Sequence, residues 1–366
     1  MALYDSVLKN EEKAIFALRG LYEGYGYSQY KMSKFEEYDL YVKNKDFLIS
    51  DSVITFTDRG GKLMALKPDV TLSILKNGKD TAGQVQKVYY NENVYRVSGE
   101  GFKEIMQVGL ECIGDIDDYC LYETLMLAAK SLATISDTYV LDISHLGVIS
   151  AVFDAAKLPE GCRAAALKFI GEKNLHELSA LCTAAGTGEK ETAMLKGLVT
   201  VYGKPCEVLP KLKELICADT AALIELEAIL SAFEGSEIYD KLRIDFSVVH
   251  DIRYYNGIVF KGFIEGIPEG VLSGGQYDKL LAKMGRKSGA IGFAVYLDLL
   301  QRMNETDKKY DVDILLLYDE GADISALSRA IASLSENGSV MAQKKIPEKL
   351  KYAKLMNFDG SEAKEV

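Results

Sequence analysis

The feature that most constrains this chain is the alternation of side chains in the segment Lys103–Cys112. Successive residues of a β-strand point to opposite faces of their sheet. One face of this segment is apolar and carries Met106, Val108, Leu110 and Cys112. The other face carries Ile105, Gln107, Gly109 and Glu111. The pattern predicts a sheet with one core face and one polar face, built on two long strands at Gln86–Val97 and Phe102–Ile113.

The polar face of the second strand has the composition of a ligand pocket. A glutamate and a glutamine on a central strand are costly unless they are hydrogen-bonded, and a small cationic or amide-bearing ligand would satisfy Gln107 and Glu111. Gly109 lies between them, and a glycine inside a strand indicates that something needs close access to the backbone. An exposed sheet face explains the same pattern about equally well.

Other polar side chains are candidates for the same face. Arg96 can present a planar fork to a carboxylate. Asp69 and Thr71 lie where a turn enters a helix, so Asp69 could hold an ammonium group, although a simple helix cap is the commoner role of such a residue. Three tyrosines lie near glycines, where a ring can stack on a flat ligand: Tyr254, Tyr255 and Tyr277. A core or surface position is the ordinary alternative for any one of the 22 tyrosines.

Periodicity and turn composition predict the order of the remaining elements. A helix is predicted over Glu11–Tyr25, then a hairpin of Val53–Thr57 and Leu63–Leu66, then a helix at Glu123–Leu132. Residues 147–239 have helical periodicity and are interpreted as a helical insertion. Strands return at Leu242–Val249, Gly257–Ile264 and Ala290–Val295, with a glycine-rich turn at Ser273–Gly275. A strand at Asp313–Tyr318 and a helix at Ser325–Glu336 begin the tail.

These elements divide the chain into three predicted domains. Residues 1–146 and 240–303 form one domain, residues 147–239 form the helical insertion, and residues 304–366 form a short α/β piece. The predicted fold class is α+β, with a sheet flanked by helices. At 366 residues with 48% hydrophobic composition, the chain is long enough to bury a large core.

Composition disfavours several functional classes. The net charge of −11 would repel nucleic acid on average. A cluster of lysines near the end, from Lys344 to Lys354, is interpreted as a solvated face. Six scattered cysteines and three histidines do not suggest a metal site or a catalytic triad. The absence of a signal-like or membrane-spanning stretch predicts a cytoplasmic protein with no membrane contact.

The order of these segments resembles the catalytic domain of class II aminoacyl-tRNA synthetases, specifically the histidyl member, from about Glu11 to Met303. This resemblance implies a class II synthetase-like fold with a central antiparallel sheet flanked by helices. Leu66–Thr71 resembles the family's Leu-Arg-Pro-Glu-Gly-Thr, and Val94–Arg96 with Gln107 and Glu111 resembles motif 2. Three later segments also match in order: Arg253–Phe260 with the histidine-specific segment, Gly274–Asp278 with Gly-Gly-Arg-Tyr-Asp, and Ile291–Ala294 with the run into motif 3. Each match alone is weak, but five in the same order are specific.

The departures from the synthetase pattern concern its ATP side. Motif 3 of the synthetase continues to a Glu-Arg pair whose arginine holds the ATP phosphates, whereas this chain has Leu299. Ser98 replaces the acid that meets the adenine amine, and His250 aligns with the catalytic arginine. His250 is interpreted as a hydrogen-bonded core residue. Because electrostatic stabilisation of phosphate charge is a large catalytic term, these losses predict that adenylation is abolished.

The residues matching the histidine side of the synthetase remain. The resemblance therefore extends to the regulatory subunits of ATP phosphoribosyltransferase, whose Arg-Pro-Asp segment fits Lys67–Asp69. The tail after Thr306 is also too short for a complete anticodon-binding domain. The resemblance implies a regulatory subunit without catalytic residues or cofactor, acting in the first step of histidine biosynthesis.

By the same resemblance, this subunit forms a homodimer within a hetero-oligomer. Its expected partners are the short-form catalytic subunit of ATP phosphoribosyltransferase and L-histidine as effector. The implied histidine-binding residues are Asp69, Thr71, Arg96, Gln107, Glu111, Tyr254, Tyr255 and Tyr277. Two alternatives stay open: an active histidyl-tRNA synthetase or ATP-dependent aminoacyl ligase, and a histidine-binding sensor with another partner.

Overall fold

The computed structural model describes residues 8–44, 53–78, 83–99, 101–216, 220–249, 255–300 and 309–366. Its residues divide into two compact units, Met1–Met303 and Asn304–Val366. Within the described residues, no helix is both long enough and apolar enough to cross a lipid bilayer.

The first unit begins with helices and short strands that lead into the two long strands. The helices up to the middle of this unit are α1 (Asn10–Gly24), α2 (Tyr38–Lys43), α3 (Thr71–Asn77) and α4 (Asp118–Ile135). The strands are β1 (Ser28–Gln29), β2 (Phe35–Glu37), β3 (Thr55–Thr57), β4 (Leu63–Leu66), β5 (Val85–Ser98), β6 (Gly101–Gly114) and β7 (Tyr139–His145). The predicted helix at the N-terminal side, the hairpin and both long strands are confirmed within one or two residues.

A run of short helices follows β7. The helices are α5 (Leu146–Ala155), α6 (Glu160–Gly171), α7 (Leu175–Ala184), α8 (Glu189–Thr200), α9 (Pro205–Ile216) and α10 (Ala221–Ser231), with the two-residue strand β8 (Tyr202–Gly203) before α9. A 3₁₀ turn at Tyr239–Lys241 then leads back to the sheet. The unit ends with β9 (Leu242–Asp245), β10 (Ile258–Ile264), β11 (Leu272–Gln276), α11 (Asp278–Lys283), β12 (Gly289–Tyr296) and α12 (Leu297–Leu300).

The described residues form one nine-stranded sheet in the order β1-β5-β6-β12-β11-β10-β7-β9-β8. All pairs are antiparallel except β1 with β5 and β7 with β9, which are parallel. In register, Glu111 lies opposite Val88 on β5 and Gly292 on β12. A small three-stranded antiparallel sheet, β2-β4-β3, includes the hairpin. The predicted α+β class with an antiparallel sheet flanked by helices is confirmed, with parallel pairs added near the edges of the main sheet.

Both faces of the main sheet are covered, and this decides which side chains are buried. The apolar face of β6 packs with α1 and α4 in a large core that includes Leu18, Val108, Leu110 and Leu125. The opposite face carries a smaller core with Leu72 of α3. Gln107 and Glu111 are only 5% and 2% exposed. The alternative of an exposed sheet face is therefore wrong.

One local prediction from the sequence is wrong, and one strand was missed. Ser273–Gly275 is part of strand β11, not a turn. Its glycines are needed for close packing, because a Cβ on Gly274 would lie 2.4 Å from the carbonyl oxygen of Gly292 and one on Gly275 would lie 2.7 Å from that of Ile258. Strand β7 was not predicted at all. It is buried almost throughout, so it lacks the alternation that marks a half-exposed strand.

The second unit contains a four-stranded sheet and one helix in its described part. The elements are β13 (Val312–Leu317), α13 (Ile324–Ser335), β14 (Val340–Gln343), β15 (Tyr352–Phe358) and β16 (Ala363–Glu365), with sheet order β14-β13-β15-β16. Asp323 caps α13 by accepting a hydrogen bond from the amide of Ala326 at 2.9 Å. The helix packs on Leu316 and Phe358. Lys354, of the predicted lysine cluster, lies on β15.

Candidate functional site

A cavity of about 460 Å³ opens on the polar side of the main sheet. This volume is in the range of small-molecule sites. Among its lining residues are seven that the sequence predicted as ligand-binding: Asp69, Thr71, Arg96, Gln107, Glu111, Tyr255 and Tyr277. The eighth, Tyr254, lies outside the described residues, as does His250. The structure thus brings together residues from four distant parts of the chain.

The cavity residues come from elements whose geometry aims them inward. Gln107 and Glu111 lie on β6 and share one face because they are separated by an even number of residues. Arg96 is on the paired strand β5. Thr71 is the first residue of α3, and Tyr277 immediately precedes α11. Two paired strands and the starts of two helices therefore supply these five residues of the pocket.

Glu111 is the best-held polar group in the cavity. Its Oε1 accepts a hydrogen bond from the Thr71 hydroxyl at 2.7 Å, and its Oε2 accepts one from the Tyr277 hydroxyl. Burial raises the pKa of Glu111 to about 8, the two hydroxyl donors oppose this change, and nearby Asp69 adds to it. A Cβ on Gly292 would lie 1.9 Å from Oε2, so a glycine on β12 makes room for the carboxyl group.

Asp69 caps a helix and also lines the cavity, so the predicted cap is confirmed and a ligand contact stays a prediction. Its Oδ1 accepts a hydrogen bond from the backbone N–H of Leu72 at 2.9 Å, which caps the start of α3. It also lines the cavity. Burial raises the pKa of Asp69, while the capping N–H groups and the charge of Arg96 oppose that shift. The helix cap therefore fixes an acidic side chain at the edge of the pocket.

Gly109 was expected to allow close access to the backbone, and the structure shows which group occupies that space. A Cβ on Gly109 would lie 2.4 Å from the hydroxyl oxygen of Tyr90, and the backbone carbonyl of Phe293 on β12 is equally near, at 2.3 Å. Tyr90 is itself buried and lines the cavity. The glycine thus accommodates a tyrosine of the neighbouring strand, which contributes its phenol to the pocket wall.

Several cavity residues were missed by sequence reasoning. They are Tyr90, Lys261, Glu269, Ser273 and Tyr296. The hydroxyl groups of Ser273 and Tyr296 lie 2.6 Å apart, within hydrogen-bond distance. Ser273 had been assigned to a turn, so its inward direction was not considered. Tyr90 and Arg96 are separated by an even number of residues on β5 and therefore lie on the same face. This was the one signal in the sequence that could have identified Tyr90.

The residue that the resemblance aligns with the synthetase's phosphate-binding arginine lies beside the core. Leu299 of α12 is partly buried and packs against the large apolar cluster. Its neighbour Asp298 forms an ion pair with Lys103 at 3.1 Å. Ser98 lies exposed at the end of β5. None of these three described side chains offers a cation to a phosphate.

The cavity's chemistry suits a small zwitterion with a polar ring. A buried carboxyl group with two hydroxyl donors can accept an N–H from a heterocycle, and tyrosine rings can stack on it. Asp69 and Gln107 offer acceptors for an ammonium group, and Arg96 offers a fork for a carboxylate. Among the described residues, Arg96 forms no ion pair within 4.0 Å. An amino acid with an imidazole or similar ring combines these features.

Comparison with known proteins finds relatives of two kinds, histidyl-tRNA synthetases and ATP phosphoribosyltransferase regulatory subunits. The family model for histidyl-tRNA synthetase matches residues 3–300. The chain is 30% identical over 339 residues to the ATP phosphoribosyltransferase regulatory subunit of Clostridium kluyveri, covering 88% of this chain and 86% of that protein. It is 27% identical to the histidine–tRNA ligase of Methanocaldococcus jannaschii, covering 86% of this chain and 76% of that one.

Solved structures show the same fold. An ATP phosphoribosyltransferase regulatory subunit/histidyl-tRNA synthetase from Bacillus halodurans aligns with a TM-score of 0.77 at 21% identity, covering 95% of this chain and 93% of that chain. One chain of an ATP phosphoribosyl transferase complex from Thermotoga maritima aligns with a TM-score of 0.62 at 18% identity, covering 78% and 96%. With a family match over most of its length and this shared fold, the chain belongs to the histidyl-tRNA synthetase family.

Proposed function

We propose that this chain is a regulatory, non-catalytic subunit of ATP phosphoribosyltransferase that senses histidine for feedback control and is required for activity of the short-form catalytic subunit. The observation that carries the proposal is the 30% identity to a relative of that name over 88% of the chain. The fold shared with a chain of an ATP phosphoribosyl transferase complex supports it. The expected assembly is a homodimer of this chain within a hetero-oligomer.

The cavity supports histidine as the effector. Its imidazole would donate an N–H to Glu111 beside Tyr277, with Tyr255 against the ring. Its ammonium and carboxylate would lie among Asp69, Thr71, Arg96 and Gln107. Because Thr71 already donates to Glu111, we assign Thr71 chiefly to holding that carboxyl group. Histidine regulates only if it binds one assembly state better than another, since differential affinity is what shifts an equilibrium.

The proposed lack of catalysis rests on the ATP side of the fold. Leu299 packs into the apolar core at the position where a synthetase would hold phosphates with arginine. Ser98 stands in place of the acid that would meet the adenine amine. Removal of such charges takes away the electrostatic stabilisation on which adenylation depends. The net charge of −11 argues against a nucleic-acid partner.

A second candidate is favoured by the match to a histidine–tRNA ligase, namely an active synthetase or ATP-dependent aminoacyl ligase. Titration calorimetry of the purified chain separates the two functions. The regulatory proposal expects heat of binding with L-histidine and none with ATP and magnesium. Binding of ATP together with histidine-dependent exchange of pyrophosphate into ATP would instead establish the ligase. No binding of histidine would refute the sensing role.

A further inference from the structure

Beyond the residues assigned above, a row of charged side chains continues across the same sheet face from the cavity. Lys261 of β10 lies directly opposite Asp142 of β7, and Asp142 lies directly opposite Arg243 of β9. Side chains of directly paired residues share a face and lie close together. Asp245 is two residues beyond Arg243 and shares its face. Lys261 lines the cavity, so this row begins at the ligand pocket.

The far end of the row is bonded to the run of short helices. Lys173, in the connection between α6 and α7, forms an ion pair with Asp245 at 2.8 Å. Its ammonium also lies 5.2 Å from the centre of the Tyr202 ring. Lys173 adopts a left-handed backbone conformation with φ of 53°, which is strained for a residue with a Cβ. The contacts of the side chain therefore help to hold an unfavourable connection in place.

Between the two ends of the row is Asp142, a buried acid with one carboxyl oxygen that has no hydrogen-bond partner among the described residues. Asp142 is 7% exposed, and its Oδ1 has no hydrogen-bond partner among the described residues. Burial and the nearby charge of Asp245 raise the pKa of Asp142 to about 7, while Lys173, Arg243 and Lys261 oppose the shift. Three cations therefore stabilise the Asp142 carboxylate, and none of them is bonded to Oδ1.

Lys261 lies between the cavity and Asp142. Its aliphatic stem runs along the cavity residue Gly270, where a Cβ would lie 2.1 Å from the lysine Cε. In the part of the chain that the structure describes, Lys261 forms no ion pair within 4.0 Å. Its ammonium lies 5.5 Å from the centre of the Phe263 ring. A turn of the side chain from this ring toward an anion in the cavity would withdraw positive charge from Asp142.

We propose that Lys261 binds an anionic group of the ligand, for histidine its carboxylate, and that it couples occupancy of the cavity to the α6–α7 connection through Asp142, Asp245 and Lys173. This inference rests on the proposed histidine sensing and adds a second cation beside Arg96. When Lys261 turns to the ligand, the carboxylate form of Asp142 loses one of its three compensating cations and takes up a proton more readily. The charge beside the Lys173–Asp245 ion pair then differs between the empty and the occupied cavity, which gives the connection two arrangements.

The first test concerns recognition of the anion. Wild type, Lys261→Met and Lys261→Arg are titrated with L-histidine and with histamine, which lacks the carboxylate. We expect Lys261→Met to weaken histidine binding by about tenfold or more, because a charge-assisted contact is lost, with no change for histamine. Lys261→Arg should restore most of the loss. Equal histidine affinity in wild type and Lys261→Met overturns the inference alone, whereas no binding by wild type overturns the sensing proposal as well.

The second test concerns coupling to the helices. Amide hydrogen exchange across residues 160–184 is measured with and without saturating histidine in wild type, Lys173→Met and Asp142→Asn. We expect histidine to change exchange there in wild type and to have no such effect in either variant. Lys168→Met, an exposed lysine of α6 paired with Glu172 at 3.8 Å, is the matched control and should behave as wild type. An unchanged wild-type pattern, or the wild-type response retained in Lys173→Met, contradicts the coupling.

Discussion

At the scale of single residues, Glu111 is a buried acid whose raised pKa makes stability depend on pH. Its surroundings raise its pKa to about 8, whereas the ordinary value is 4.5. Between these values the folded protein retains a proton that the unfolded chain has released. The free energy of unfolding therefore falls as pH rises through this range, and the stabilising contribution is complete only below the lower value.

This linkage predicts a specific pH dependence for the ligand-free protein. Between pH 5 and 8, Glu111→Gln should show a flatter fall in the free energy of unfolding than wild type, by up to about 1.4 kcal/mol per pH unit. Urea denaturation at several pH values measures this slope. Glu104→Gln is the control, because Glu104 lies on the same strand and accepts hydrogen bonds from Asn93 and Tyr95 that lower its pKa. Parallel slopes for wild type and Glu111→Gln would contradict the assignment.

At the scale of elements, the position of β12 against β6 creates the space for the Glu111 carboxyl group. A methyl group on Gly292 would lie 1.9 Å from Glu111 Oε2 and 2.4 Å from the carbonyl oxygen of Leu110. Gly292→Ala should therefore displace the carboxyl group and weaken histidine binding by about tenfold or more, with a stability cost of about 1–3 kcal/mol. Calorimetry and urea denaturation measure the two effects.

The control for Gly292→Ala is Gly101→Ala, at the start of the paired strand β6. A Cβ at Gly101 meets no heavy atom within 4 Å, so its substitution tests the general effect of a glycine-to-alanine change in this sheet. We expect Gly101→Ala to bind histidine as wild type does. If both variants bind histidine equally well, the steric relation between Gly292 and Glu111 does not determine the pocket.

The elements also show what could be predicted from sequence. Strands β5 and β6 were predicted because one face packs on apolar core and the other carries polar groups, which produces visible alternation. Strand β7 was missed because it is buried on both faces. The glycines of β11 indicate close packing as readily as a turn, and local sequence does not distinguish these cases.

Site residues could be related from the sequence when they share a strand, but not when they come from distant segments. Gln107 and Glu111 could be paired from spacing on one strand, but the hydrogen bond between Tyr277 and Glu111 joins residues 166 positions apart. The two residues were predicted only as separate contacts of one ligand, and the bond between them was not predicted because nothing in the spacing relates them. Lys261 was missed for a similar reason, since its place beside the cavity depends on how β10 is ordered in the sheet. Register between distant strands is a tertiary property.

At the scale of the whole molecule, the proposed role joins a binding cavity to an enzyme carried by another chain. A regulatory subunit must bind its effector without itself supplying the reacting groups. The described cavity has buried acceptors and tyrosines, and Leu299, which the resemblance aligns with a phosphate-binding arginine, is partly buried against the core. An effector then changes activity only through a difference in its affinity for two states of the assembly.

The corresponding prediction is made on the assembled complex with its short-form catalytic partner. Glu111→Ala removes the acceptor proposed for the imidazole and leaves the hydroxyl groups of Thr71 and Tyr277 without it, so the histidine concentration for half-inhibition should rise by about tenfold or more. Phosphoribosyl transfer is measured against histidine concentration, with each variant referred to its own activity without histidine. Glu104→Gln on the same strand should retain wild-type inhibition. Unchanged inhibition in Glu111→Ala would place the regulatory histidine site elsewhere in the complex, because an effector bound at this cavity must lose affinity when its main acceptor is removed.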